Sequence, residues 1–185
     1  MPPLEALAVD INGGSRRIGL FRLLALLLDT RDSRRALALI RLGQHCHARG
    51  WRRTGRWAAR RLRRDFGCCV QPGAVIGPGL KLPHPVGIVL GSGVRIGADC
   101  ILYHQVTLGG ARRGDWQAGR YPQVGDRVTV FAGAKLVGAI RIGDDAVIGA
   151  NAVVNADVPV RHTAEGIPAR SLPRRDLPEL FRALI

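Results

Sequence analysis

From Val70 onward an aliphatic residue returns every six positions: Val70, Ile76, Leu82, Ile88. The phase slips by two and continues through Leu90, Ile96, Leu102 and Leu108. After a break it resumes at Val124 and runs through Val130, Leu136, Ile142, Ile148, Val154 and Val160. Four places after each of these the residue is small or aliphatic: Ala74, Leu80, Val86, Val94, Cys100 and Val106, then Val128, Ala134, Ile140, Ala146, Ala152 and Val158. Gly, Asp and Asn crowd the positions between. A six-residue period fits neither a helix nor an alternating strand. It is the period of a β-solenoid. Each hexad makes one short flat side and a turn, and three hexads close a triangular coil. The index residues of successive coils then stack inside as a column of Val, Ile and Leu. The expected fold is mainly β, a parallel β-helix over residues 67–165 with an inserted loop at 109–123.

The pattern ahead of the hexads is helical. Residues 1–14 read as irregular, with Asn12-Gly13-Gly14 as a turn, and Ser15 is placed to cap a helix from Arg16 to about Leu28. Asp32 or Ser33 can cap a second, with Ala36, Leu37, Ile40 and Leu42 on one side and Gly50 as its stop. A third carries Trp51, Gly55, Ala58, Leu62 and Phe66 on one face at helical spacing. After Glu165 the hexads end. Asp176 with Glu179 resembles a capping box for a helix over 177–184 that would cover the end of the solenoid. The division is then a basic helical segment 1–66, the β-helix 67–165, and a closing segment 166–185 with a C-terminal helix.

Composition sharpens this reading. Gly 24, Pro 11 and 5% aromatics suit a turn-rich solenoid rather than a sandwich. The net charge of +14 is concentrated: residues 1–66 hold 15 of the 28 Lys and Arg against 5 Asp and Glu. The third helix presents Arg52, Arg53, Arg56, Arg60, Arg61, Arg63 and Arg64 opposite its apolar face, which is either a solvated face or a contact for an anionic membrane surface. With only Trp51 and Trp57 to stack on bases and no reading-head motif, nucleic acid is not an expected partner. The four cysteines, Cys46, Cys68, Cys69 and Cys100, form no C-x-x-C pair, and Cys100 falls on a core column, which points to a reducing compartment. No leader pattern opens the chain, and the longest apolar run, Leu23 to Leu28, is far short of the ~20 residues of a membrane span. The expected location is cytoplasmic, with peripheral attachment to the inner membrane face left open by the basic helix.

The candidate chemistry sits around two histidines. His84 is the third residue of the hexad at Leu82, and His104 is the third of the hexad at Leu102. Counting the two-residue slip, they are one coil apart, so the repeat stacks them about 5 Å apart at the backbone and points both outward. Imidazole titrates near ~6.5, which suits general-base work at neutral pH. The excursion GGARRGDWQAGRYPQ, residues 109–123, lies beside them with Arg112, Arg113, Trp116, Arg120 and Tyr121. Long excursions from a regular scaffold commonly carry function.

HPVGIVLGSGVRIG, then VTLGG, a long loop, and AEGIPAR after the last coil resemble the hexapeptide-repeat acyltransferases over about residues 67–170. The nearest resemblance is to the serine O-acetyltransferase family and its short relatives associated with capsule and exopolysaccharide genes. It implies a left-handed parallel β-helix, a homotrimer, and acetyl-CoA as co-substrate in the groove between subunits. It also implies acetyl transfer to the hydroxyl of a small acceptor. Residue by residue it implies His84 as catalytic base and Arg120 as the grip on an acceptor carboxylate, with His104 and Tyr121 beside the acceptor. Gly109 and Gly110 would flank the thioester. Ala132, Gly133, Gly149 and Ala150 would let pantetheine lie against backbone, and Gly166 and Arg170 would stand at the nucleotide end.

Departures from the family pattern bear on the acceptor. Cys69 stands where serine enzymes carry an Asp that orients the base. Pro83 and Ser92 replace two further carboxylates, and Tyr121 replaces a His. L-serine and a sugar hydroxyl, as in polysaccharide precursors, therefore both stand as acceptors. Two other classes compete. One is a zinc-dependent, carbonic anhydrase-like β-helix, for which His84 and His104 supply only two ligands and His162 lies too many coils away. The other is a non-catalytic scaffold. His45, Cys46 and His47 alternate along a helix and do not face one point. No metal is expected.

Overall fold

A computed structural model of the chain describes residues 1–14 and 18–173. Four helices come first: α1 (Pro3–Asn12), α2 (Leu20–Leu27), α3 (Asp32–Ala48) and α4 (Arg52–Phe66). Short strands then build three parallel sheets, one on each side of a triangular coil. The first stacks β1 (Cys69–Val70), β3 (Val89–Leu90), β6 (Thr107–Gly109), β9 (Lys135–Val137) and β12 (Val153–Val154). The second stacks β2 (Val75–Ile76), β4 (Arg95–Ile96), β7 (Gln123–Val124) and β10 (Arg141–Ile142). The third stacks β5 (Ile101–Leu102), β8 (Thr129–Val130) and β11 (Val147–Ile148), and ends in the antiparallel hairpin of β13 (His162–Gly166) and β14 (Ala169–Pro173).

The hexad residues form the core. Ile76, Leu82, Ile88, Leu90, Ile96, Leu102, Leu108, Val130, Leu136, Ile142, Ile148 and Val154 are all buried, as are the small partners from Ala74 to Val158 with one exception. Two corners turn through left-handed backbone, which L side chains enter at a cost and Gly freely. One corner column is Gly79, Asp99, Arg127, Asp145 and Arg161; the other is Gly67, Gly87, Gln105, Gly133 and Asn151. This is why Gly, Asp and Asn crowd between the index positions.

Several expectations are corrected. Residues 1–14 are not irregular: α1 runs through them, with Gly13 as its left-handed C-cap. α2 begins at Leu20 after Gly19, and the Ser15 cap falls outside the described residues. Neither Asp32 nor Ser33 caps α3. Arg31 holds that place without a side-chain bond, and the Ser33 hydroxyl donates instead to the carbonyls of Leu82 (2.7 Å) and Pro83 (3.4 Å). Trp51 is exposed at the start of α4 rather than part of its buried face. Val86 and Val160 are exposed, not core. Val86 lies in the two-residue slip, and Val160 in a shortened last coil, where Val147 pairs with Thr163 only sixteen positions on. The helix expected over 177–184 lies outside the described residues.

The helices dock on the first coil through one buried ion pair. The Arg41 guanidinium donates to both oxygens of Asp10 (2.8 and 3.1 Å), to Ile76 O (2.7 Å) and to Gly77 O (2.6 Å). Asp10 also accepts the Leu80 N–H at 3.0 Å. α1, α3 and the solenoid thereby share one saturated charge network, the condition under which a buried charge is tolerated.

Candidate active site

His84 projects from a corner that is larger than its equivalents. In the regular coils this corner passes through Tyr103, His104 and Gln105, then Phe131, Ala132 and Gly133, and the Gly133 N–H donates to His104 O at 2.9 Å. One coil earlier the matching bond runs from the Gln105 N–H to Val86 O at 2.8 Å. Val86, not His84, is therefore the rung partner of His104. The two extra residues bulge out between Leu82 and Val86, and His84 rides on the bulge. The stacking expected from simple hexad counting is thus reached by a different route. The rings do meet, edge to face, with centroids 6.0 Å apart and planes at 76°.

His84 is exposed and His104 half-buried. His104 Nδ1 is buried and, among the described residues, has no hydrogen-bond partner. Tyr103 leans on His84 at 6.4 Å and stacks on Phe131 at 5.1 Å with planes 17° apart. Sequence reasoning did not single out this aromatic pair. The signal was available, because both residues occupy the second place of their hexads, one coil apart.

The 109–123 excursion is organised by Asp115, also missed from sequence. Its buried carboxylate accepts the backbone N–H groups of Ala111 (2.8 Å) and Arg112 (2.7 Å). A side chain at Gly110 would meet the Asp115 Cβ at 2.8 Å, so the turn needs a glycine there. The Arg120 guanidinium is exposed and stands 4.0 Å from Asp115. Tyr121 is nearly buried, its ring lying over Gly91 and Gly93, where any side chain would collide with it. The ring thus pins the end of the loop to the solenoid, and among the described residues its hydroxyl has no hydrogen-bond partner. Among the described residues no hydrogen bond or ion pair joins Arg120, Tyr121 or Cys69 to His84. The Cys69 thiol is half-exposed and accepts from Gln71 Nε2 at 3.7 Å.

Below this corner runs a line of small residues. Space at Gly109 is open, with nothing within 4 Å of where a Cβ would be. Ala132 is half-buried and Ala150 exposed. Gly133 holds left-handed backbone against Asn151, and Gly149 lies against the Glu165 Cβ, 3.2 Å from an added side chain. Gly166 turns the β13–β14 hairpin, which pairs Arg170 with Glu165. Ala132 and Gly133, then Gly149 and Ala150, then Gly166 descend one rung at a time from the corner of His104, while Gly109 stands at the far end of β6 on the rung of His104 itself. Among the described residues no three His, Cys, Asp or Glu side chains converge as metal ligands. Cys46 is buried while His45 packs edge-on to Trp51, so His45, Cys46 and His47 do not share a point.

A family model for bacterial transferase hexapeptide repeats (six repeats) matches residues 121–156. The serine acetyltransferase of Helicobacter pylori is 44% identical over 137 residues, 74% of this chain and 79% of that protein. The chain belongs to the serine acetyltransferase family. Its fold is accordingly the left-handed parallel β-helix, and it is an acyltransferase. Among solved structures, the serine acetyltransferase of Neisseria gonorrhoeae superposes with a TM-score of 0.72 at 31% identity, covering 93% of this chain and 65% of that one. A serine acetyltransferase in complex with CoA superposes with a TM-score of 0.70 at 28% identity over 92% of this chain and 67% of that one. The chain thus spans about two thirds of the solved family members' length.

Proposed function

We propose that this protein transfers an acetyl group from acetyl-CoA to the hydroxyl of a small acceptor of the serine type, with His84 as general base. The observation that carries the reading is the exposed His84 ring, held on a bulged corner against His104 at the head of a line of small residues. Acetyl-CoA supplies an activated acetyl group when bound. Open space at Gly109 and the small Ala132, Gly149 and Ala150 fit a thin pantetheine chain lying against backbone, and Arg170 offers a cation to phosphate near the hairpin. His84 takes the proton from the acceptor hydroxyl as its oxygen bonds the acetyl carbon. The carbon–sulfur bond breaks, and the imidazolium returns that proton to the leaving sulfur. Holding both reactants side by side makes a covalent enzyme intermediate unnecessary. Arg120, on a loop ordered by Asp115, suits an acceptor carboxylate, because a guanidinium fork matches one.

The division at residues 66/67 and 165/166 belongs to the same proposal, as does a homotrimer with the groove between neighbouring subunits. His84 lies on an open surface in the single chain, which supports a site completed by a second subunit. The basic face of α4, with Trp57 among Arg53, Arg56, Arg60 and Arg64, supports peripheral contact with an anionic membrane from the cytoplasmic side. Among the described residues no helix is long and apolar enough to cross a membrane.

The test is thiol release from acetyl-CoA with L-serine and nucleotide sugars offered side by side, on protein whose mass is measured by sedimentation. Serine-dependent release from a particle of about three times the 20.0 kDa chain is the expected result. Release with a sugar alone would move the acceptor to the polysaccharide-precursor class. No release with any hydroxyl would leave a scaffold.

A further inference from the structure

We propose that Cys68 is a positioning residue for His84, its buried thiol fixing the exit of the bulged corner from which the base projects. The proposal rests on the reading of His84 as base.

A corner two residues longer than its equivalents needs more than the ladder to hold it. Part of the stiffness is local. Pro83 and Pro85 flank His84, their rings fix φ, and a residue before proline is confined to extended backbone. Prolines, however, bring no N–H to bond. Of the donors present, Val86 N–H turns back to His84 O at 2.8 Å, and Gly87 N–H reaches Phe66 O at 2.9 Å. The remaining ties come from side chains. The Ser33 hydroxyl holds the entry at Leu82 O, and Cys68 holds the exit. The Cys68 Sγ donates to Pro85 O at 3.2 Å, one residue past the base, and accepts the N–H of Ile88 at 3.3 Å, where the chain rejoins the rung.

The position makes the thiol informative. Register places Cys68 in one column with Ile88, Val106, Ala134 and Ala152, because Cys69 pairs with Val89, Val89 with Thr107, Thr107 with Lys135 and Lys135 with Val153. Every other member of that column is aliphatic and buried. An aliphatic side chain would satisfy the core equally well. The one polar member stands where the one bulge must be held, and a thiol both donates and accepts. Burial pushes the Cys68 thiol above its usual range, outweighing its bond from Ile88, so it keeps the proton it donates. Without the thiol, the Ile88 N–H and Pro85 O lose a described partner in a buried place, and the corner is free to shift.

The test compares Cys68→Ser, which keeps a donor and acceptor, with Cys68→Val, which keeps volume and removes both. Each folded variant is measured for kcat, for the KM of acetyl-CoA, and for the ring ¹H–¹⁵N signals of His84, assigned by their loss in His84→Ala. In Cys68→Val we expect kcat to fall about 10- to 100-fold, since a displacement near 1 Å costs about that much. The acetyl-CoA KM should hold, and the His84 signals should shift or broaden. Cys68→Ser should stay near wild type in all three. A folded Cys68→Val with wild-type kcat and unchanged His84 signals overturns the proposal. If the wild-type protein transfers no acetyl group, the functional reading has failed, and the His84 signals alone decide the positioning role. Cys68→Ala removes the thiol without adding volume and replaces the valine variant should that one not fold.

Discussion

The His84 ring stands edge-on to that of His104, with centroids 6.0 Å apart, although Val86 occupies the rung below His104. The two imidazoles differ in setting. His84 is exposed on the bulge, while His104 is half-buried, its Nδ1 without a partner among the described residues. His84 is the more open of the two to a hydroxyl arriving from solvent. His84→Ala should lower kcat by ~100- to 10,000-fold, the range for loss of a general base, and leave the thermal midpoint nearly unchanged. His104→Ala should cost less in kcat. Steady-state rates with circular dichroism melts on both variants check this. Near-full turnover in His84→Ala with a dead His104→Ala would exchange the two roles.

The solenoid was legible because its rule is local and repeated: each hexad states its own inward residue, and Ile76 through Val154 obeyed it. The site was only half legible for the same reason. Counting hexads brought His84 to His104 but could not say where the two-residue slip was absorbed, since Pro83 to Val86 carry no index residue. Asp115 stood in the loop as one carboxylate among arginines, and nothing local marks it as the acceptor for two N–H groups. α1 was lost because Asp10 gains its meaning from Arg41, thirty-one residues away, and a ten-residue helix opening with prolines has little signal alone.

Asp115→Ala should unravel the 109–123 turn by orphaning the N–H groups of Ala111 and Arg112, a loss of about 1–3 kcal/mol for buried hydrogen bonding. Most of that should appear locally rather than in global stability. Arg120 would lose its nearest carboxylate and its loop its order. The acceptor KM should rise well above its wild-type value while the acetyl-CoA KM moves little. Equal changes in both constants would place Asp115 outside acceptor binding.

Removing one partner of the Asp10–Arg41 pair leaves a buried charge without its counter-ion, which typically costs about 3–5 kcal/mol. Asp10→Ala and Arg41→Ala should each lower the denaturant midpoint by a similar amount. The double variant should cost much less than the two summed, because the stranded charge is gone. A helical segment loosened by either change would also slacken the tie of Ser33 to Leu82, so kcat should fall alongside stability. Additive losses in the double variant would show that the two groups act independently.

The four thiols should separate cleanly by reactivity. Burial raises the Cys46, Cys68 and Cys100 thiols above their usual range, Cys100 to about 11. The thiolate is the reactive form, and these three side chains are buried besides. Cys69 is half-exposed. Titration of the native protein with a thiol-reactive dye near pH 8 should therefore show one fast group, absent in Cys69→Ser, and four only after denaturation. Two fast groups in the native state would mean that the corner held by Cys68 opens on the timescale of labelling.

The exposed face of α4 offers the last prediction. Arg52, Arg53, Arg56, Arg60, Arg63 and Arg64 face solvent with Trp57 among them. Asp65 is the one acid on the helix, and its carboxyl lies below the usual range: burial acts to raise it, but hydrogen bonds from Arg61 at 2.6 Å and Arg64 at 3.3 Å outweigh that. Asp65 therefore stays charged at neutral pH and pairs with both Arg61 and Arg64, cancelling one of their two charges, so Arg52, Arg53, Arg56, Arg60 and Arg63 face an outside anion without an acid partner on the helix. If that anion is a lipid headgroup, vesicles with anionic lipid should retain the protein at low salt and release it as salt rises, since exposed charges are screened beyond ~8 Å at physiological ionic strength. Each Arg near the surface is worth about 1 kcal/mol of such binding, so Arg53→Glu with Arg56→Glu should release the protein at much lower salt. Trp57→Ala should weaken retention with little change in its salt dependence, because a tryptophan acts at the interface through its ring. Equal retention on neutral and anionic vesicles, or none on either, would leave α4 a solvated face.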